Sequence, residues 1–223
     1  MSAGDRVGAK PLDERCAALI KELRALCPGV LPDDPLPAGE PGKPIPVDPQ
    51  RWGAVVQVAS RQAAAMAATG RTPSSDKDLP SVVIWELGAS ALVVNVGELA
   101  TAVEEGVVAV ATPVLCDQVP RRGVVTITFA VGSPERPTGL LAATTQAPEG
   151  PQIVIDLWGE ALVALAWQAL LDSAAGIAAQ AGVDTDGTPL VATALAAAKD
   201  RVEVIPQARH PFDRLPRPRA VTP

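Results

Sequence analysis

Histidine occurs once in 223 residues, asparagine once and tyrosine not at all, and aromatic residues make up only 3% of the chain. These scarcities exclude chemistry. A single histidine, His210, removes every site that needs two imidazoles, including HExxH zinc centres, two-histidine iron centres and paired-histidine phosphotransfer. A Ser-His-Asp or Cys-His site would have to use His210, which stands in a Pro- and Arg-rich stretch, whereas a general base must be held within hydrogen-bond reach of its proton. The residue reads as a solvated tail histidine.

Cysteine is nearly as scarce. Cys16, Cys27 and Cys116 form no CxxC pair and no metal spacing, and an odd count without an export signal suggests reduced thiols in a cytoplasmic setting. Residues 1–10 carry Asp5, Arg6 and Lys10 in place of an apolar signal region. Uncharged runs stay below the ~18 residues of a membrane-spanning helix, so neither secretion by a cleaved signal nor membrane insertion is expected. There is no GxGxxG or GxxxxGK[ST] phosphate loop. A net charge of −6, a pI of about 4.9 and few stacking aromatics argue against nucleic acid as a partner.

What the chain does have is small and apolar. Hydrophobic residues make up 48%, with 39 alanines, alongside 23 prolines. Asp13 is placed to cap a helix running to about Cys27, with Pro28-Gly29 as the stop. Leu12, Cys16, Leu19, Leu23 and Leu26 are spaced 4, 3, 4, 3, which puts all five on one narrow face. That face has to dock on something, and it is the candidate partner-binding surface, in trans or against its own domain. Residues 28–48 read as a Pro-rich arm of extended conformation, because proline fixes φ and lacks a donor.

Asp48-Pro49 predicts a capped helix from Pro49 to about Ala68, with Trp52, Val56, Ala59, Ala63 and Met66 on one face. From Ser81 to Gln146 the period changes to two: Val82 to Leu87, Leu92 to Val96, Val107 to Cys116, Gly123 to Val131 and Gly139 to Gln146 read as strands. Val125, Ile127, Phe129 and Val131 point one way. The connections are too short for helices, which predicts an antiparallel meander, and Pro113 predicts an edge position or an early end for the third run. Ile153 to Ile155 reads as a short strand before a long apolar helix from about Leu157 to Ala181 whose only polar stripe is Glu160, Gln168 and Asp172. Pro189 to Asp200 reads as an Ala-rich helix and Val202 to Ile205 as a final strand. Residues 206–223 carry +3, leaving −9 on residues 1–205, and read as a basic tail.

Motifs of chemistry are faint. Ser74 to Lys77 has SxxK spacing, but Pro73 and Pro80 leave no room for the helix it needs. Asp184-Thr185-Asp186-Gly187 resembles part of a calcium loop, yet Gly182 and Thr193 stand where carboxylates would be needed, and an Asx turn explains the sequence. Glu86, Asp156 and Glu160 have apolar neighbours and are the carboxylates expected near the core, where a close pair could serve as acid and base. Trp52, Trp85, Trp158 and Trp167 could wall a pocket for a flat ligand, though filling core volume is the commoner use.

The expected architecture is α+β: an antiparallel sheet of about five strands covered by the long helix. The expected divisions are an N-terminal helix over 1–27, the arm over 28–48, a core domain over 49–205 and the basic tail over 206–223. The functional expectation is a non-catalytic structural or adaptor subunit without metal or cofactor, assembling with itself or another protein in the cytoplasm, within a particle such as a phage tail, injection machine or protein compartment. The competing expectation is a small-molecule binder or carboxylate-dependent enzyme with a Trp-lined pocket.

Overall fold

Residues 40–69, 79–119, 121–139, 144–184 and 187–208 are described by the computed structural model. The N-terminal helix with Leu12, Cys16, Leu19, Leu23 and Leu26, the first part of the arm, His210 and most of the basic tail lie outside the described residues. The fold is α+β, as the change of period predicts, with two helices and two sheets in which every described strand pair is antiparallel.

Strand β1 (Ile45–Val47) comes first and pairs with β11 (Arg201–Ala208), so the end of the Pro-rich arm is an edge strand, where the missing donor of Pro46 is tolerated. Helix α1 (Pro49–Thr69) opens as predicted. The Asp48 carboxylate accepts from the backbone N–H of Arg51 at 2.9 Å, and proline occupies the first helical position. Trp52, Val56, Ala59 and Ala63 are buried together with Val55, Val58, Ser60 and Gln62, so α1 is covered on most of its circumference.

The second sheet is built from hairpins. Strands β2 (Val83–Leu87) and β3 (Ser90–Val94) flank Gly88, whose φ of +62° suits the first central position of a two-residue type II′ loop. A 3₁₀ turn (Val96–Glu98) leads into β4 (Ala100–Glu104), then β5 (Val107–Cys116) and β6 (Gly123–Ala130). The order is β2-β3-β5-β6-β9, where β9 is Thr144–Thr145, and β4 lies beside β3 along the same edge of β5.

Strand β5 is therefore central, not the edge that Pro113 predicts, and the reason is local. In a strand a residue's N–H and C=O point to the same side. The Pro113 carbonyl accepts from Asn95 N–H at 2.9 Å in the break between β3 and β4, so the missing N–H falls where the ladder is already interrupted.

The chain changes sheets at Val131-Gly132. Strands β7 (Gly132–Ser133) and β8 (Arg136–Gly139) join the first sheet, whose order is β1-β11-β10-β8-β7, with β10 spanning Leu190–Ala198. Gly106 ties the two sheets together: its N–H donates to Ala197 O at 2.8 Å and its carbonyl accepts from Val131 N–H at 2.9 Å.

Three expectations are corrected here. Ile153 to Ile155 form no strand but the first turn of α2 (Gln152–Gln180), because the apolar run continues at helical spacing and Pro151 O accepts from the N–H groups of Val154 and Ile155. Pro189 to Asp200 is no helix: β10 and β11 form a hairpin turning at Lys199-Asp200, and the burial of Ala196 and Ala197 overrides alanine's helical preference. The polar stripe of α2 is wet only at one end, since Glu160 is exposed, Gln168 half-buried and Asp172 buried.

Exposed positions on α2 stop at Ala164, and from Leu165 onward the helix is covered. It is long and apolar enough to cross a bilayer, but 61% of its most apolar window is buried within the protein against α1, β10 and β11. One core runs from Trp52 and Val56 through Leu162, Leu170 and Ile177 to Leu92, Ile127 and Phe129 of one sheet and Leu195, Val202 and Val204 of the other.

The crossover between sheets sets a testable constraint. Gly132 has φ +85°, and a Cβ there would sit 2.3 Å from Arg136 O and 2.7 Å from Thr138 N, both backbone atoms. Gly132→Ala is expected to cost about 2 kcal/mol or more. Gly88→Ala, with no atom within 4 Å, pays only the left-handed backbone penalty of about 1–2 kcal/mol. Chemical-denaturation midpoints measured side by side check the order.

Candidate functional site

Glu86, Asp156 and Glu160, expected near the core, are all exposed. In β2 the neighbours of Glu86 are apolar because alternate residues face opposite sides: Trp85 points inward and Glu86 outward. Asp156 and Glu160 lie on the wet side of α2, and Asp156 accepts a hydrogen bond from Gln152 Nε2 at 2.7 Å. Among the described residues the buried carboxylates are instead Asp172 and Glu203, on separate elements and each engaged by a residue close in sequence. Gln168 Nε2 donates to Asp172 Oδ1 at 2.8 Å, and Arg201 Nε donates to Glu203 Oε1 at 2.7 Å. Among the described residues, no group of three or more His, Cys, Asp or Glu is placed to hold a metal.

The tryptophans do not converge on one wall. Trp52 is wholly buried within α1, Trp85 packs against Trp158 with ring centroids 6.3 Å apart, and Trp167 packs against Phe129 at 5.6 Å. They fill the core at three places. Asp184 makes the turn its sequence predicts: its carboxylate accepts from Thr188 N–H at 2.8 Å and its carbonyl from Gly187 N–H, with Thr185 and Asp186 outside the described residues. Cys116 is buried at the end of β5, its thiol donating to the neighbouring Asp117 carboxylate at 3.4 Å.

What stands out is the outer face of the second sheet. The register puts Ile84 beside Val93 and Val93 beside Leu115 across three strands, and Pro113 beside Val124 on the next pair. Ile84 is 64% exposed, Val124 49% and Leu115 46%, while the opposite face of the same strands is packed into the core. Ala91, Ala109 and Ala111 extend this surface with small apolar side chains, and Glu86 and Glu104 mark its ends.

No protein-family model, curated protein or solved structure matches the chain. Among the described residues, the outer sheet face gathers exposed large apolar side chains on neighbouring strands, a departure from an ordinary solvated exterior.

The rim of that face holds an ion pair. Arg122, just before β6, bonds the carboxylate of Glu98 in the 3₁₀ turn, and this hydrogen bond, helped by one from Asn95, holds Glu98 below the usual glutamate range. A lowered folded-state value means that Glu98 contributes stability above its unfolded value of ~4.3, lost as pH falls through the lower folded value. The stability difference between the wild-type chain and Glu98→Gln is expected to shrink on acidification below about pH 4. Denaturation midpoints from pH 7 to pH 2 measure it.

Proposed function

We propose that this chain is a non-catalytic assembly subunit that works through protein–protein contacts, within a larger particle of the kind that phage tails, injection machines and protein compartments exemplify. The observation that carries the reading is the apolar row Ile84–Val93–Leu115 with Val124, in which Ile84, Leu115 and Val124 are exposed and Val93 half-buried, a sheet face that water would otherwise cover. Burial of such surface is the main driving force of association, at roughly 25 cal/mol per Å² before the costs of binding are deducted. Two further features support it. Asp156, Asp172 and Glu203 are each engaged by a residue of their own element, and among the described residues no group of three or more His, Cys, Asp or Glu converges. Leu12, Cys16, Leu19, Leu23 and Leu26 supply a second apolar face by their spacing, one able to bind the chain itself or another protein.

Light scattering tests the reading. The full chain is expected to run above monomer mass at micromolar concentration, and either deletion of residues 1–30 or the double substitution Leu115→Lys with Val124→Lys lowers that mass. Both substituted positions are about half exposed, so changes in folding stability stay within roughly 1 kcal/mol. A chain that stays monomeric at every concentration, with both variants unchanged, would overturn self-assembly.

A further inference from the structure

We infer that β2 is the edge along which a second copy of this chain pairs, antiparallel and centred on Trp85. The inference rests on the assembly reading and names its partner and its register. It starts from the hairpin. A two-residue loop is closed by a hydrogen-bonded pair, so Leu87, Trp85 and Val83 exchange bonds with Ser90, Leu92 and Val94 of β3. The N–H and C=O groups of Ile84 and Glu86 then point away from β3, and among the described residues nothing accepts or donates to them.

The other sheet edges are blunted. β1 is three residues long and contains Pro46, and β7 is two residues long, beside β8 with its Pro137. β9 is two residues long with Pro148 just beyond it, and β4, with α1 packed on its Thr101 side, carries only Ala100, Ala102 and Glu104 on its outer side, without the large apolar residues of β2. Proline, brevity and cover are the usual protections against edge-to-edge pairing. β2 has none of them. It runs five residues without proline, lysine or bulge, and Val82, Ile84 and Leu87 at this edge are 46%, 64% and 52% exposed.

A second copy of the same strand fits this edge by symmetry. Two identical strands paired antiparallel are related by a two-fold axis, so one surface serves both partners. With the axis at Trp85, Ile84 pairs with Glu86 of the other copy through the free backbone groups, and Glu86 pairs with its Ile84. Val83 then meets Leu87 on the inner side, apolar against apolar. A register centred on Glu86 would set two carboxylates directly opposite each other, which is unfavourable. The pairing also joins the two copies' outer apolar rows into one continuous surface.

Proline at position 84 or 86 removes an outward N–H that bonds nothing among the described residues, so the β2–β3 ladder keeps its bonds. In sedimentation velocity the full chain is expected to form a concentration-dependent dimer, with Ile84→Pro and Glu86→Pro each weakening it about tenfold or more and Ile84→Val leaving it in place. Cysteine pairing reads the register in a background with Cys16 and Cys27 replaced by serine. Chains carrying Ile84→Cys mixed with chains carrying Glu86→Cys are expected to give the mixed disulfide, since hydrogen-bonded partners lie about 5.5 Å apart at Cα. The two homodisulfides are disfavoured because those positions sit a diagonal step of about 7–8 Å apart. If the proline variants fail to fold, the cysteine mixture decides. A monomeric wild type, or mixed disulfide no more abundant than the homodisulfides, overturns the inference. A wild-type oligomer that both prolines leave intact overturns the β2 contact alone and leaves the assembly reading standing.

Discussion

Covering α2 is the constraint around which the rest of the molecule is arranged. From Leu165 to Ala181 the helix shows no exposed residue, and a helix covered on every side cannot be satisfied by one sheet, which covers only a stripe. The chain meets this with α1 on one flank and the β10–β11 hairpin on another, while β6 reaches it from the second sheet. Alanine makes the arrangement possible. Ala59, Ala63 and Ala64 on α1, Ala166, Ala169, Ala174 and Ala178 on α2, and Ala196 and Ala197 on β10 are all buried, and their small side chains let backbones approach closely. The excess of alanine is thus a packing device, with the few large side chains, Trp52, Phe129 and Leu170 among them, filling the gaps between thin elements.

The same economy leaves polar groups with few partners. Trp52 Nε1, Trp158 Nε1, Gln62 Nε2 and Gln180 Nε2 are buried donors with no acceptor among the described residues. Each such group costs roughly 1–3 kcal/mol, which core burial has to exceed. Ser60 and Ser173 avoid the cost by donating to carbonyls one turn back, at 2.8 and 2.7 Å. A core built this way gains stability from contact area and little from directed bonds.

Much of the fold was legible wherever one local signal sufficed. Asp48-Pro49 marked the start of α1, and the alternation of Val125, Ile127, Phe129 and Val131 marked both β6 and its inward face, all four being fully buried. Legibility failed where two local signals competed or where the answer was long-range. Ile153 to Ile155 is β-branched yet continuous with a helical run, and Ala192 to Ala198 favours helix until its hairpin with β11 is buried. Ala100 to Glu104 gives only a weak strand signal because most of its residues are small, and only pairing with β5 defines it. Glu86 was expected near the core because its sequence neighbours are apolar, but in a strand those neighbours face the other side. The row Ile84–Val93–Leu115 could not be read in advance at all, since it exists only through the registers of two strand pairs.

The size of the candidate contact bears on how such a subunit would assemble. A stable protein–protein interface buries about 1,200–2,000 Å² in total, more than a five-residue strand edge can supply alone. Pairing at β2 fixes orientation and register through backbone groups, whereas lasting association needs further apolar area. The outer face behind β2 can contribute it, and so can the Leu12 to Leu26 face, carried on a Pro-rich segment that spans at most about 3.3–3.6 Å per residue. Two weak contacts on one chain reinforce each other once the first is made, because the second becomes effectively intramolecular. If both contacts are used, association would be cooperative and steeply dependent on concentration.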